Sequence, residues 1–164
     1  MVYEHAPDPL ISFTPLKVED ISAILEVERE AYPEPWSYGM FLDELGNSRS
    51  RFMVLWYGEE LAGYGGFWLV LDEAHITSVT VRKEYRGRGL GRVLLRYLLD
   101  LAMEQWAESA LLEVRASNER AQSLYVSERF RIAGIRRKYY RKSGEDAIVM
   151  VRKPLRKQDG GIAP

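Results

Sequence analysis

Arg86-Gly87-Arg88-Gly89-Leu90-Gly91-Arg92 joins a β-like run at residues 76–81 to a long helical pattern at residues 90–103. A glycine-rich, arginine-flanked turn that feeds a helix start is physically an anion site. Helix geometry leaves the first amides without carbonyl partners, the helix dipole favours negative charge, and glycine lets the main chain curl around an oxyanion. The ligand this predicts is a phosphorylated cofactor. Two familiar phosphate-binding patterns fail on spacing. A dinucleotide fingerprint needs glycine where Arg92 stands, and a P-loop needs Gly-Lys-Ser/Thr, which the chain lacks. Taken alone, the stretch also fits an ordinary helix-start turn with solvated arginines. The surrounding chain decides between the two.

A length of 164 residues predicts one domain with a substantial core, and 46% hydrophobic with 29% charged residues is ordinary for a globular protein. The absence of cysteine excludes disulfides, thiolate metal ligands and a cysteine-linked acyl-enzyme. The two histidines, His5 and His75, are far apart and lack an HExxH-type partner, so no metal is expected. No apolar run approaches a membrane span, and residues 1–9 carry Glu4 and Asp8 rather than a basic, apolar leader. A cytoplasmic address and no membrane contact are expected.

The net charge is −1, but it is unevenly spread. Residues 1–80 hold 14 acidic and 4 basic side chains, whereas residues 81–164 hold 10 acidic and 19 basic ones. The basic half contains the glycine turn and suits an anionic cofactor; the acidic half suits a cationic partner such as a basic peptide. Two solvated faces that neutralise each other explain the same counts. No aromatic-rich recognition motif accompanies the basic residues, so stable nucleic-acid binding is not expected.

Residues 11–16 read as a first strand. Ile21, Ile24, Leu25, Val27 and Ala31 give residues 18–31 a helical period. Pro33-Glu34-Pro35-Trp36-Ser37 breaks that helix, and Ser37 can cap a second, shorter one that reaches Leu45. Residues 51–57 and 61–71 flank Gly58-Glu59-Glu60 as a hairpin, and Asp72-Glu73-Ala74 turns into a third strand at 75–81. After the helix at 90–103 come a strand at 110–115, a helix at 118–128 capped by Ser117 or Asn118, and strands at 130–139 and 147–152. The domain is expected over residues 11–155, with a lead at 1–10 and a disordered polar tail at 156–164. This order predicts a mixed α/β (α+β) sandwich. The crossover helix should set strands 75–81 and 110–115 parallel, with the glycine turn at their C-terminal ends, where such sheets bind ligands.

At this point the chain resembles the GNAT superfamily of acetyl-CoA-dependent N-acetyltransferases. Arg86-Gly87-Arg88-Gly89-Leu90-Gly91 is similar to its pyrophosphate motif, Arg/Gln-x-x-Gly-x-Gly/Ala, preceded by the strand Ser78-Val79-Thr80-Val81. Asn118-Glu119-Arg120-Ala121-Gln122-Ser123-Leu124-Tyr125 resembles its later Asn-x-x-Ala-x-x-Leu-Tyr element, with Phe130 at the family spacing. The resemblance spans residues 11–155. It implies a mixed, mostly antiparallel twisted sheet of six to seven strands with four helices on both faces. Leu112-Glu113-Val114-Arg115-Ala116-Ser117-Asn118, Pro35-Trp36-Ser37 and Arg136-Arg137-Lys138-Tyr139-Tyr140 narrow the likeness. They resemble the branch that acetylates the N-terminal alanine of small-subunit ribosomal protein eighteen. The partner so implied is a protein N-terminal peptide from a basic ribosomal protein, and the enzyme is expected as a monomer or weak oligomer.

Acyl transfer from a thioester to an amine needs a held cofactor, a proton acceptor, a stabilised oxyanion and a protonated leaving thiolate. Glu113 is the candidate base: Leu111, Leu112 and Val114 make a half-buried strand in which desolvation should raise its pKa. The rival is a strand glutamate paired with Arg115 or another arginine. The resemblance assigns Tyr125 as general acid, although an aromatic at helical spacing after Ala121 and Leu124 also reads as core. It implies cofactor contacts at Val79, Thr80 and Val81, through Arg86, Gly87, Arg88, Gly89, Leu90, Gly91 and Arg92, and at Asn118 and Tyr125. Tyr32, Trp36, Tyr139 and Tyr140 are candidates to line the acceptor groove, or alternatively are core and rim aromatics. A non-catalytic acyl-CoA-binding module is the rival of another class.

Overall fold

The computed structural model describes residues 8–156; residues 1–7 of the expected lead (1–10) and 157–164 of the expected tail (156–164) lie outside the described residues. The chain forms a seven-stranded sheet of order β1-β2-β3-β4-β5-β7-β6 and four α-helices. It divides into two compact units. One comprises the chain up to Trp68 with Ile76–Leu98, and the other comprises Leu69–His75 and the chain from Leu99 onward. All three boundaries fall inside continuous elements, β3 (Glu60–Val70), β4 (Glu73–Val81) and α3 (Leu90–Glu104).

In the first unit β1 (Ile11–Pro15) pairs antiparallel with β2 (Ser50–Tyr57), which pairs antiparallel with β3 (Glu60–Val70). Strand β1 alternates as a half-buried strand should: Ile11 and Phe13 are buried, and Phe13 stacks on Tyr97 with ring centroids 3.9 Å apart. The expected first helix starts later than its apolar period suggests. Residues Val18–Asp20 form a 3-10 turn, because the Asp20 carboxylate accepts the Lys17 amide at 3.0 Å and tightens the entry. The α-helix proper, α1, is Ile21–Ala31, and it buries Ile21, Ile24, Leu25 and Val27. Helix α2 (Tyr38–Gly46) is capped as expected, Ser37 Oγ accepting the Met40 amide at 3.3 Å.

Strand β3 contains a feature that the sequence reading passed over. A Cβ at Gly63 would sit 2.5 Å from the Thr80 carbonyl oxygen, and one at Gly65 would sit 2.6 Å from that of Ser78. Residue number rises along β3 as it falls along β4, so the two strands run antiparallel. They also approach more closely than any side chain at these two positions allows. The turn between them falls at Leu71, which takes a left-handed φ of 56°, and β4 begins at Glu73 rather than at His75.

In the second unit β4 runs parallel to β5 (Ser109–Arg115), Glu73 facing Ser109 and His75 facing Leu111, as the crossover predicted. Strand β7 (Ala147–Arg152) is antiparallel both to β5 and to β6 (Arg131–Arg136). Helix α4 (Glu119–Ser127) is capped by Asn118, whose Oδ1 accepts the Ala121 amide at 3.1 Å. The strand expected at 130–139 ends at Arg136. Lys138 adopts φ 51° while its amide donates to Asp146 Oδ1 at 2.8 Å, which turns the main chain out of the ladder.

The close approach of β3 and β4 is testable. Gly65→Ala should cost about 1–3 kcal/mol in chemical denaturation, because the Ser78 carbonyl and the Leu98 side chain must both retreat. Gly46→Ala, with nothing within 4 Å of its Cβ, should be neutral or stabilising by roughly 0.5–1 kcal/mol. Equal effects at the two positions would contradict the argument.

Candidate active site

In the first unit β4 ends at Val81, a 3-10 turn follows at Lys83–Tyr85, and the chain then curls into α3. Gly87 and Gly89 both have φ 79°, a left-handed conformation that side-chain-bearing residues rarely adopt. Gly89 starts the helix, its carbonyl accepting the Val93 amide at 3.2 Å. Helix geometry leaves the amides of Leu90 and Gly91 without intrahelical acceptors. Leu90 is buried and anchors the turn, while Arg86, Gly87, Arg88 and Gly89 are exposed. Arg86 Nε donates to the Val81 carbonyl at 3.0 Å, which ties the turn back to β4. Arg88 lies over the Tyr85 ring, 5.3 Å from its centroid, and the Tyr85 hydroxyl is hydrogen-bonded to Glu60. The turn is thus a preformed, exposed, positively charged cradle rather than a floppy loop.

Also in the first unit, Tyr32 and Thr80 come together: the Tyr32 hydroxyl lies 2.6 Å from Thr80 Oγ1. Trp36 packs on Phe41 and Phe52, with centroids at 5.2 and 6.2 Å, which is the rim-aromatic arrangement. Its amide donates to Glu28 Oε1 at 3.2 Å.

In the second unit Glu113 stands on β5 with its side chain 8% exposed. Its Oε2 lies 2.6 Å from His75 Nε2, and Arg136 Nε lies 3.3 Å from Oε1. Burial pushes the Glu113 carboxyl up, but the hydrogen bond and charge of His75 and the charge of Arg136 together bring it below its ordinary value. The expectation of a raised pKa is therefore corrected: desolvation is present and is outweighed. Arg115 is not its partner; that guanidinium sits 3.8 Å over the Tyr140 ring and 3.3 Å from Glu145. Tyr139 and Tyr140 meet edge-on at 5.1 Å. Burial raises the Tyr139 phenol, with Glu113 adding to the effect, and burial pushes Tyr140 up to about 12. Tyr125 is buried on α4 and packs edge-on against Phe130 at 5.8 Å, so its ring is part of the core. Asn118 is committed to capping α4.

His75 was missed by sequence reasoning, whereas Arg136 is the other arginine that the rival reading of Glu113 allowed for. The signal for His75 was its register: it pairs with Leu111, and side chains two residues apart on a strand share a face, which brings Glu113 to the same side. Among the described residues no group of three His, Cys, Asp or Glu side chains could hold a metal ion. No helix of the described residues is long and apolar enough to cross a membrane.

Comparison with known proteins shows the family. The model of the acetyltransferase (GNAT) family matches residues 21–130. The chain belongs to the GNAT family. The putative [ribosomal protein bS18]-alanine N-acetyltransferase of Bacillus subtilis is 40% identical over 136 residues, covering 82% of this chain and 90% of that protein. The [ribosomal protein bS18]-alanine N-acetyltransferase of Escherichia coli K12 is 37% identical, covering 82% and 92%. The crystal structure of the Escherichia coli ribosomal-protein-S18-alanine N-acetyltransferase superposes with a TM-score of 0.81 at 33% identity, covering 94% of this chain and 99% of that one. The family's seven-stranded, mostly antiparallel sheet with four helices is the fold found here.

If His75 holds the Glu113 carboxyl down, then His75→Ala should raise the Glu113 titration midpoint, read by carboxyl-carbon NMR. Because the folded-state pKa is lowered, the stability Glu113 contributes is present above the ordinary carboxylate range and is lost as pH falls through it. Glu113→Gln should flatten that part of the stability-versus-pH curve. An unmoved midpoint in His75→Ala would contradict the assignment.

Proposed function

We propose that this chain transfers the acetyl group of acetyl-CoA to a protein N-terminal amine, with the N-terminal alanine of ribosomal protein bS18 as acceptor. The observation that carries the acyl-CoA half is the turn at residues 86–91, with two left-handed glycines opening α3 beneath exposed arginines. Such a cradle matches a diphosphate in charge and in main-chain donors. The acceptor rests on relatives bearing that activity in their names at 37–40% identity over about nine-tenths of their length.

In this scheme the amides and arginines of residues 86–92 hold the diphosphate, and the main chain of Val79, Thr80 and Val81 lies along the pantetheine arm. An N-terminal amine has a pKa of about 8 and is mostly protonated at neutral pH, so attack requires loss of a proton. Glu113 serves as the base. Its lowered pKa keeps it ionised throughout the neutral range, and His75 and Arg136 fix its two oxygens. The neutral amine attacks the thioester carbonyl directly, because no cysteine exists to form an acyl-enzyme. The carbon–sulfur bond breaks, and Tyr125 returns a proton to the thiolate. The first unit offers Tyr32 and Trp36, and the second Tyr139 and Tyr140, as candidate acceptor contacts; Asn118 and Tyr125 are the second unit's candidate cofactor contacts. The acidic first half of the sequence suits an approaching basic peptide. A cytoplasmic location, where ribosomal proteins are made, completes the proposal.

The test of the acceptor is a screen with labelled acetyl-CoA against peptides beginning Ala-Arg, peptides with internal lysines, and free small amines, with product position read by mass spectrometry. Preferential labelling of the α-amine of the Ala-Arg peptide is expected. Preference for lysines or small amines would keep the family chemistry and remove the acceptor. For the machinery, Gly89→Ala should raise the KM for acetyl-CoA about tenfold or more, since a Cβ there is strained at φ 79°. Glu113→Gln and Tyr125→Phe should instead lower kcat by roughly 10²-fold or more with little change in that KM. Normal turnover in both variants would remove their roles.

A further inference from the structure

Four side-chain-bearing residues take a left-handed φ among the described residues, and two of them, Leu71 and Trp106, are large and apolar. Leu71 stands in the short turn between β3 and β4 with φ 56° and is 93% exposed. Trp106 follows α3 with φ 67° and is 79% exposed. Its amide donates to the Met103 carbonyl at 3.1 Å, and that of Ala107 to the Ala102 carbonyl at 3.0 Å. In such a helix stop the left-handed place usually goes to glycine or asparagine. A tight hairpin turn favours the same two residues. At both positions the main chain is therefore strained by its side chain. Neither side chain enters the core: the Trp106 ring meets the Arg156 guanidinium 5.7 Å from its centroid and otherwise stays largely in solvent.

The two turns lie side by side at one end of the second unit. The Asp72 carbonyl accepts the Glu108 amide at 2.7 Å and the Ser109 amide at 3.3 Å, and Glu73 faces Ser109 in the sheet. Residues 69–73 and 104–108 carry four carboxylates, Asp72, Glu73, Glu104 and Glu108, and no basic residue. None of the four forms an ion pair among the described residues. Large apolar side chains inside a charged rim have the composition of a protein-docking surface, in which tryptophan is over-represented. The sign of the rim selects the occupant. A second copy presenting the same end would bring like charges together, whereas a basic protein surface is complementary to it.

Resting on the acetyl-transfer reading above, we propose that Leu71 and Trp106 dock the body of a basic acceptor protein, with Asp72, Glu104 and Glu108 facing its cationic residues. Strand β5 starts at Ser109 beside this surface, and Glu113 stands four residues along it. That separation is roughly 13 Å at strand spacing. An acceptor whose N-terminal amine lies at Glu113 needs about four extended residues to cover it. A very short peptide therefore reaches the base but not the docking surface. The surface selects a whole basic protein over short peptides with the same N-terminus, and it strengthens binding without entering the chemistry. It also gives the strained turns a purpose, since glycine or asparagine at either place would relax the main chain and remove the contact.

The experiment compares wild type with the double variant Leu71→Asn/Trp106→Asn, because asparagine accepts a left-handed φ and lacks the apolar bulk. The acceptors are intact ribosomal protein bS18 and its N-terminal tripeptide, at saturating acetyl-CoA. The variant should raise the KM for the intact protein about tenfold or more, hold kcat and the tripeptide KM within about twofold, and melt no lower than wild type. A second variant, Glu104→Gln/Glu108→Gln, leaves both turns intact. It should raise the intact-protein KM about threefold at low ionic strength and leave it unchanged at roughly 0.5 M salt. An unmoved intact-protein KM in the asparagine variant overturns the proposal, and so does a parallel rise for the tripeptide, which places the effect at the catalytic site. If the asparagine variant does not fold, the glutamine variant decides on its own salt-dependent readout. Wild type that sediments as a dimer beside a monomeric asparagine variant also overturns it, in favour of contact between copies. Wild type that acetylates the tripeptide as efficiently as the intact protein removes the docking surface alone, whereas wild type that acetylates neither removes the reading beneath it.

Discussion

Contact between β3 and β4 at Gly63 and Gly65, closer than a methyl group permits, is the constraint on which the first unit depends. It fixes the level of β4, and β4 supplies three things in succession. Thr80 meets Tyr32, the Val81 carbonyl receives Arg86, and the chain then enters the left-handed turn that starts α3. A shift of a few tenths of an ångström in that strand would misplace hydroxyls that must stay within hydrogen-bond reach. The glycines thus link packing to chemistry: they carry no functional group, yet they set where the functional groups stand.

Two carboxylates in this chain are pushed in opposite directions. Glu113 is held ionised because His75 and Arg136 outweigh its burial, while Glu28 is raised because a tyrosine hydroxyl and an amide only partly offset the core around it. Environments that drive like groups apart are how one fold assigns acid and base work at neutral pH. Acyl transfer to an amine starts from a protonated nucleophile, so it gains from an acceptor that is always charged. The absence of cysteine makes this more pressing, since direct attack needs a free amine.

Much of this was legible in the sequence. Period and capping residues located the elements to within a few positions, as at Ser37 and Asn118, and the glycine turn stood out because a strand precedes it and a helix pattern follows. What sequence could not show was pairing across distance. His75 lies 38 positions from Glu113, and Glu28 lies 36 from Tyr64. Neither pair shares a local period, so only strand register and core packing bring them together. Neighbouring apolar residues made Glu113 look desolvated, which was right, but the opposing His75 was invisible and no spacing singled out Arg136 among the arginines, so the inferred direction of its pKa was wrong. The end of β6 was lost for a similar reason: Asp146 captures the Lys138 amide from another segment and overrides strand propensity.

The central claim is that a preformed main-chain cradle at residues 86–91 grips a diphosphate and so presents an acyl group to an amine. Titration calorimetry with coenzyme A and, separately, with pantetheine tests it most directly, because the two share the reactive arm and differ in the diphosphate-bearing part. The account predicts that coenzyme A binds at least about a hundredfold more tightly, equivalent to roughly 2.7 kcal/mol. Equal affinity for the two, or no binding of coenzyme A by folded protein, would contradict it.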